Sequence, residues 1–279
     1  MKFLRKALVH SRHMLQWLEM KLISLNTWGG RAGKDALLSF LQTHAEVDIF
    51  CFQEMWRKNG KPIETVLSTL SREMLTGAAY ELYHAIEMTL PRHYGYFRPH
   101  FYDFFGLALF VRKDLRTQEE GELFVYKERG YIAKCDIPGR EYADIGRNLH
   151  YVTVETARGP LTFIHVHGLW NGDAGKKDTE DRLLQSDNII RFLETLQNPF
   201  ILCGDFNLLP ETESLQRLER FGLRNLITEY GITSTRTKYY TKANRFADYV
   251  LVSPGITVKD FQVLPDGVSD HSPLYLEFE

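Results

Sequence analysis

The chain has 279 residues, 44% of them hydrophobic and 25% charged, a composition typical of a globular protein that can bury a large core. Its formal net charge of −2 excludes a global positive field for nucleic acid, so any such binding must rely on local patches. The three cysteines, Cys51, Cys135 and Cys203, lie far apart in the sequence. Their odd number and spacing argue against a disulfide framework and favour a reducing, cytoplasmic compartment. No apolar run is long enough to span a membrane.

Residues 1–19 differ from the rest of the chain. They are basic, and leucines recur in them at roughly helical spacing. We interpret them as an N-terminal extension, either vector-derived or misassigned, or as a short amphipathic helix packed on a single domain of residues 20–279. The apolar runs are too short for a secretory signal. A role at a membrane surface ranks third, and no stable insertion into a membrane is expected.

A strand–helix–strand unit opens the domain. Its elements are predicted at residues 21–26 (strand), 34–45 (helix) and 47–54 (strand), followed by a helix at residues 63–74. Both strands are apolar until they end in polar groups, the first in Asn26 and the second in Glu54. Since such units place functional residues at strand ends, these two residues are candidates for a site.

Residues 91–105 are dense in aromatic side chains, with arginine and histidine interleaved. We predict a loop here, with two alternatives for its role. The rings could stack on bases or sugars while the cations meet phosphate. Alternatively, they pack onto the sheet, because aromatic side chains are more often core than ligand contacts.

Strands with alternating patterns follow at residues 106–112, 123–126, 131–137, 149–156 and 161–168. The last of these carries His165 and His167 two positions apart, so both rings share one face. They could form a metal pair, but no cysteine or third histidine stands at zinc-ligand spacing. A lone histidine in such a place is usually a hydrogen-bonded core residue.

The stretch Phe200–Asn207 is an apolar run that ends in Gly204, Asp205, Phe206 and Asn207. It follows a long amphipathic helix predicted at residues 176–196 and reads as a buried strand. On extended backbone, Asp205 and Asn207 point to the same side, where a carboxylate beside an amide can hold and activate water. The alternative is a plain turn, which Gly, Asp and Asn all favour.

The remaining elements add further polar groups at strand ends. We predict a helix at 212–220, a loop or weak hairpin at 228–244, and strands at 245–252, 257–264 and 274–278. Asp248 lies on the first of these strands, and Asp270 and His271 precede the last. Oxygen ligands without thiolates favour Mg²⁺ or Mn²⁺, and imidazoles suit phosphoryl oxygens under attack. The combination points to phosphate ester hydrolysis.

The set of motifs resembles the endonuclease/exonuclease/phosphatase superfamily, which has the DNase-I-like fold. The motifs that carry the resemblance are Leu25-Asn26, Gln53-Glu54, His167, Gly204–Asn207, Asp248-Tyr249 and Ser269–Ser272. The resemblance runs from about Lys21 to the end of the chain. It implies an α/β fold, a four-layer α/β/β/α sandwich with two packed mixed β-sheets, and a catalytic domain over residues 20–279.

The resemblance also implies roles for individual residues. The metal region would comprise Asn26, Glu54 and Asp270. The catalytic residues would be His167, Asp205, Asn207, Asp248 and His271. Asp205 would orient and deprotonate the attacking water, and His271 would contact the scissile phosphate with Asp248 fixing its tautomer. Substrate contacts would come from Trp28, Arg147 and, as a support residue, His165.

The implied function is that of a Mg²⁺- or Mn²⁺-dependent phosphodiesterase, and we expect a monomer. Nucleic acid is the most common substrate class for this fold and is therefore the expected substrate. Trp28 stands where nucleases of the superfamily often have an acidic residue, a form more similar to neutral sphingomyelinases. Lys238, Lys242 and Arg245, together with residues 91–105, could still hold a single strand. The alternatives are a phospholipid phosphodiesterase, a phosphatase of a small phosphorylated metabolite, and a non-catalytic phosphate-binding module.

Overall fold

The computed structural model describes residues 19–58, 79–131, 145–170 and 175–279. Its strands are β1 (Met20–Asn26), β2 (Ile49–Trp56), β3 (His93–Phe101), β4 (Phe105–Arg112), β5 (Thr117–Tyr126), β6 (Arg147–Thr156), β7 (Gly159–His167), β8 (Phe200–Asp205), β9 (Arg224–Asn225), β10 (Asp248–Val252), β11 (Val258–Val263) and β12 (Leu274–Phe278). Its helices are α1 (Lys34–Thr43), α2 (Leu82–Thr89), α3 (Glu180–Leu193), α4 (Glu213–Arg220) and α5 (Leu226–Glu229), with a 3₁₀ turn at Trp28–Gly30.

These strands form two six-stranded sheets. The first has the order β11-β12-β1-β2-β4-β3 and the second the order β5-β6-β7-β8-β10-β9. Each sheet contains one parallel pair, β1 with β2 and β7 with β8, and the other neighbours run antiparallel. Both sheets are therefore mixed, as the sequence predicted.

The alternation of side chains along each strand explains the layers. On β1, Leu22 belongs to the core between the two sheets, while its neighbour Ile23 belongs to a second core beneath α1 and α2. On the far side, Ile189 of α3 and Leu215 of α4 pack against the second sheet. Successive side chains point to opposite faces of a sheet. Each sheet therefore packs against helices on one face and against the second sheet on its opposite face. The predicted α/β/β/α sandwich is confirmed.

The register of the strands brings the polar strand ends together. On the first sheet, Asn26 lies opposite Gln53 in the parallel β1–β2 pair. On the second, His167 lies opposite Asp205, which in turn lies opposite Asp248. Parallel neighbours end at the same edge, so both sheets present their candidate residues at one end of the sandwich.

The prediction of a loop at residues 91–105 was wrong, because this segment forms the β3–β4 hairpin. Phe97, Phe101 and Phe105 are buried, and β3 lies at the edge of its sheet, where a strand tolerates a proline such as Pro99. Gly106 faces it, and a Cβ there would lie 2.4 Å from the Arg98 carbonyl oxygen. The rings of Phe97, Phe101, Phe104 and Phe105 therefore pack in the sheet, whereas Tyr94 and Tyr102 are exposed.

Several predicted features lie outside the described residues, namely nearly all of the 1–19 extension, the helix at 63–74 and most of the strand at 131–137. Helix α2 was not anticipated from the sequence. Within the described ranges, Cys51 and Cys203 are buried and free. The same ranges contain no helix long and apolar enough to span a bilayer.

Candidate active site

The Asn26 amide links the two sheets at their common end. Its Nδ2 donates to Asp205 Oδ2 at 2.9 Å and to Glu54 Oε1 at 3.2 Å. Its Oδ1 accepts from the Trp28 backbone N–H at 2.9 Å, and its carbonyl accepts from Ser269 Oγ at 2.7 Å. The side chain is fully buried, so its orientation is fixed by these bonds. It holds the carboxylates of Glu54 and Asp205 beside one another.

A β-bulge directs the Glu54 side chain toward this site. The pairing of β2 with β4 shifts register between Phe52 and Met55, and Glu54 has a φ of 55°. A non-glycine residue in the left-handed region costs roughly 1–2 kcal/mol, and bulges beside active sites commonly re-aim a side chain. Thr27 holds the bulge, since its Oγ1 donates to the carbonyls of Gln53 at 2.9 Å and Glu54 at 3.2 Å.

His271 and Asp248 form a buried pair. His271 Nδ1 lies 2.8 and 2.9 Å from the two carboxylate oxygens of Asp248, and Thr235 Oγ1 donates to Asp248 Oδ2 at 2.9 Å. Nδ1 therefore carries the proton, and Nε2 faces Asp205 Oδ2 at 3.6 Å. Burial and Arg236 lower the pKa of His271, but the surrounding carboxylates outweigh them and the net shift is upward.

Asp205 occupies the centre of the site. Burial alone would raise its pKa, but the charges of His271, His167 and nearby cations outweigh burial and hold the pKa well below its usual range. The Asn207 backbone N–H donates to Asp205 Oδ1 at 2.9 Å, with Asn207 at a φ of 55°. Gly204 directly precedes Asp205, and a Cβ at position 204 would lie only 2.2 Å from the Val166 carbonyl oxygen, so the backbone requires glycine here. The segment is thus both a turn and part of the site.

His167 completes the ring around Asp205. Its Nε2 lies 3.7 Å from Asp205 Oδ2. Burial, followed by the Arg147 charge, lowers the pKa of His167 to about 3, so the ring is neutral near pH 7. Arg147 begins β6 and is buried close enough to exert this effect. Trp28 lies at the edge of the site, with its ring centroid 6.5 Å from that of Tyr239.

His165 is linked to the site through Gln53, and its role as a support residue stays a prediction. It is fully buried, with Nδ1 3.3 Å from Gln53 Nε2 and Nε2 3.1 Å from His150 Nδ1. His150 Nε2 in turn lies 2.8 Å from Glu120 Oε1. Because an amide N–H only donates and a carboxylate only accepts, each ring accepts at Nδ1 and donates at Nε2. His165 is therefore a link in a chain that fixes Gln53, the neighbour of Glu54, and a metal pair with His167 is excluded.

Sequence comparison assigns the family. The model of the Endonuclease/Exonuclease/phosphatase family matches residues 23–271. The chain belongs to this family. A comparison with curated proteins finds no significant match.

Several solved structures share the fold. One is a family protein from Bacteroides thetaiotaomicron, with 18% identity and a TM-score of 0.69 over 93% of this chain and 97% of that one. Another, from the same organism, is a mannosyl-6-phosphatase, with 17% identity and a TM-score of 0.68 over 93% and 99%. A third is the human Nocturnin catalytic domain with bound sulfate, with 16% identity and a TM-score of 0.59 over 94% and 93%. At these identities the similarity shows the fold.

The donor set at the site fits a divalent metal ion. Burial raises the pKa of Glu54, Arg31 opposes this, and the neighbouring Asp270 carboxylate raises the pKa further. Asp270 Oδ1 is buried and has no hydrogen-bond partner among the described residues. Two carboxylates that repel one another, one with a free lone pair, are the ligands expected for a hard cation. Asp205, Asp248 and His271 also place donor atoms within 4.8 Å of one another, although His271 Nδ1 there already bonds Asp248.

Sequence reasoning missed two cations beside the site, Lys176 and Arg236. Lys176 was predicted as the first residue of a helix, but α3 begins at Glu180 and Lys176 lies in the preceding loop. Arg236 lies in a segment predicted as a loop or hairpin and forms an isolated β-bridge with His271. Neither residue belongs to a pattern that a single sequence makes visible.

The hydrogen-bonded chain behind Gln53 should make stability depend on pH. Burial raises the pKa of Glu120, but hydrogen bonds from His150 and Arg98 outweigh burial and lower it to about 2 from an ordinary 4.5. A carboxyl with a lowered pKa stabilises the fold above its ordinary pKa, and this stabilisation is lost as the pH falls through the lowered value. We therefore expect Glu120→Gln to lower the melting temperature at pH 7, with the gap to wild type narrowing from pH 4.5 toward pH 2.

Thermal melts across this pH range check the effect. Glu119→Gln is the matched control, because Glu119 is exposed on the same strand and bonds only the Tyr151 hydroxyl. It should change the melting temperature little. A gap for Glu120→Gln that is independent of pH would contradict the proposed contribution of the charged carboxylate.

Proposed function

We propose that this chain hydrolyses a phosphoester with the help of a divalent metal ion, by in-line attack of water on phosphorus. Its membership makes it a phosphoesterase of the superfamily. One observation carries the mechanism: the buried Asp205 carboxylate is held by the Asn26 amide at 2.9 Å and is flanked by Nε2 of His271 at 3.6 Å and of His167 at 3.7 Å. An ionised acceptor thus lies between two imidazoles.

In this proposal Asp205 orients the attacking water. Its lowered pKa keeps it ionised at ordinary pH, so it accepts a hydrogen bond from the water and orients it. In this proposal the same carboxylate takes the proton as the water attacks. Asn207, whose backbone bonds Asp205, holds the water or a phosphate oxygen with its side chain. In its charged form His271 directs its Nε2–H at a phosphoryl oxygen, while Asp248 binds the Nδ1–H and fixes the orientation of the ring. His167, neutral at pH 7, meets a second oxygen.

The metal would be held by Glu54 and Asp270, with Asn26 orienting Glu54. When bound, Mg²⁺ or Mn²⁺ supplies positive charge that stabilises the negative charge developing on the phosphoryl and leaving oxygens. The complete set of Glu54, Asp205, His167 and His271 argues against a degenerate binding module, which we expect to have lost at least one of them.

The sequence pointed to nucleic acid as the substrate, and two features now support a single-strand groove less strongly, although Lys238 and Lys242 are exposed. The rings of residues 91–105 are largely packed in the β3–β4 hairpin, and Arg245 donates to the carbonyls of Tyr240 at 3.2 Å and Arg236 at 3.1 Å. The pairing of Trp28 with the exposed Tyr239 remains as a surface on which a base could stack. A phosphodiester of nucleic acid is therefore one proposed substrate class.

A phosphomonoester is the second candidate. The observation that favours it is the pair of buried cations, Lys176 and Arg236, whose charges act on Asp205. The fold shared with the mannosyl-6-phosphatase is compatible with this class. A phospholipid substrate has no comparable support among the described residues.

Activity with and without metal tests the proposal. We expect hydrolysis of p-nitrophenyl phosphate, bis-p-nitrophenyl phosphate or labelled single-stranded DNA in Mg²⁺ or Mn²⁺, its loss in EDTA, and its return when metal is added back. The relative rates assign the substrate class. Binding of phosphate without turnover of any of the three would support the non-catalytic module instead.

We also propose a cytoplasmic monomer. Cys51 and Cys203 are buried and free, as expected in a reducing compartment. The large exposed apolar side chains, such as Met88, Leu123 and Leu184, lie on separate elements.

A further inference from the structure

Lys176 carries a buried positive charge beside the active site. Its side chain is almost fully buried, and Nζ donates to the Phe246 carbonyl oxygen at 2.6 Å. Within the described part of the chain, no carboxylate forms an ion pair with it. An ammonium group has three N–H donors, and a buried charge usually has a charged partner. Lys176 thus has donors available for an anion that binds from outside the protein.

The loop that presents Lys176 is locked on both sides. The buried guanidinium of Arg182 donates to the carbonyl of Gly175 at 2.9 Å and also to that of Lys177. The Leu209 backbone N–H donates to the Lys176 carbonyl at 3.1 Å. Because these anchors immobilise three successive residues, the position of the ammonium is set by the fold, which is how a binding group is preorganised.

Asp178 anchors the end of the same loop. Its carboxylate accepts from the Glu213 and Ser214 backbone N–H groups at 2.8 and 2.9 Å, and from Ser214 Oγ at 2.6 Å. These bonds tie the loop to the start of α4. Asp178, the acidic residue closest in sequence to Lys176 in the described part of the loop, is therefore engaged elsewhere and does not neutralise Lys176.

Arg236 lies next to Lys176, on the same aromatic ring. The guanidinium carbon of Arg236 is 4.1 Å from the centroid of Tyr240, and Lys176 Nζ is 5.7 Å from it. Arg236 NH1 donates to Asp270 Oδ2 at 3.1 Å, while its buried Nε has no hydrogen-bond partner among the described residues. The Tyr240 ring attracts both cations and so offsets their mutual repulsion. The positive charges of both also lower the pKa of Asp205.

We infer that Lys176 and Arg236, held against Tyr240, bind oxygens of the scissile phosphoryl group and select a doubly charged phosphomonoester over a singly charged phosphodiester. The inference rests on the proposed function. Around the site, Arg236 pairs with Asp270 and His271 with Asp248, whereas Lys176 forms no ion pair with a carboxylate of the described residues. A phosphodiester supplies one negative charge, and a dianionic phosphomonoester supplies a second, which adds to the attraction by Lys176 and Arg236.

The ionisation of Lys176 is compatible with this role. Burial lowers its pKa to about 8, with Asp205 opposing the shift. Lys176 is therefore mostly charged at pH 7. Charge-assisted hydrogen bonds to phosphate are about twice as strong as neutral ones, so the loss of this charge should be measurable with the substrate that needs it.

A charge-removal variant tests the inference on two substrates with the same leaving group. In Lys176→Gln the amide can still donate to the Phe246 carbonyl. We expect kcat/KM for p-nitrophenyl phosphate to fall about tenfold to a hundredfold, the usual effect of one charged hydrogen bond. For bis-p-nitrophenyl phosphate it should fall by less than about threefold. Lys176→Arg should keep most of the preference, and Lys177→Gln, a change at an exposed neighbour, should change neither substrate.

Calorimetric titration with inorganic phosphate in Mg²⁺ gives a second readout. Its affinity should weaken about tenfold or more in Lys176→Gln and stay unchanged in Lys177→Gln, with melting curves confirming that the variants are folded. Equal losses on both substrates, or unchanged phosphate affinity, would overturn the inference. A wild-type protein that binds phosphate through Lys176 but hydrolyses nothing would instead overturn the proposed function.

Discussion

Replacing His271 with alanine should lower kcat for phosphoester hydrolysis by about a hundredfold or more, the typical effect of removing one preorganised donor to a transition state. His271 is rigidly aimed, because Asp248 binds its Nδ1 at 2.8 Å while Nε2 faces the Asp205 carboxylate. Its raised pKa favours the charged ring, which stabilises the negative charge that grows on the phosphoryl oxygens. Since that charge develops mainly in the transition state, we expect kcat to fall more than KM rises. Steady-state kinetics in saturating metal measure both.

A structural effect must be separated from this chemical one. The alanine variant leaves the buried Asp248 carboxylate with only the Thr235 hydroxyl, so its melting temperature should also fall. His93→Ala is the matched control: His93 is buried and bonds the Val47 carbonyl at 2.7 Å, but at the opposite end of the first sheet. It should lose stability and keep its activity. Comparable losses of activity in both variants would remove His271 from the mechanism.

The polar strand ends were predictable because burial makes them conspicuous. Phe200–Asp205 and Ile49–Trp56 are mostly apolar and buried, so the carboxylates of Asp205 and Glu54 need a reason to be there. Strand periodicity then fixes which residues share a face, and parallel pairing fixes which ends meet. Fold class and the principal site residues follow from these local rules together with the family's motifs.

Other features depend on contacts that no local pattern encodes. The β3–β4 hairpin contains Pro99, Gly95 and Gly106, which suggest a loop, yet the edge position of β3 accommodates the proline and Gly106 allows the close approach of backbone. His165 looked like a site residue because it precedes His167 by two positions. Its actual partners, Gln53 and His150, come from other strands.

The two cations beside the site, Lys176 and Arg236, were even harder to predict from the sequence. Lys176 is one of two adjacent lysines in a polar segment, and only the fold distinguishes it from the exposed Lys177. Arg182, which anchors its loop, lies on an amphipathic helix whose arginines would normally be solvated. Long-range placement decides which charged residues are buried, and a single sequence does not contain that placement.

Replacing Glu54 with glutamine should abolish metal-dependent hydrolysis while leaving the metal-free protein as stable as wild type, or more so. Burial raises the pKa of Glu54 and Asp270 raises it further, with Arg31 opposing, so the ionised side chain is disfavoured in the metal-free fold. A neutral amide of the same shape removes this penalty. It also removes a ligand charge for Mg²⁺. Because Lewis-acid stabilisation is worth several kcal/mol, a loss of about a thousandfold in kcat/KM is expected.

This combination of opposite effects distinguishes a metal ligand from a structural carboxylate. Asp48 is the matched control, since it lies just before β2 at the opposite end from Glu54, is buried, and pairs with Arg112 as Glu54 pairs with Arg31. Asp48→Asn should lose stability and keep both activity and the rise in melting temperature that Mg²⁺ produces. Glu54→Gln should lose that rise. If Glu54→Gln still bound Mg²⁺ with wild-type affinity by calorimetry, the strained bulge that aims this side chain would need another explanation, and the metal would have to be held by Asp205, Asp248 and His271 instead.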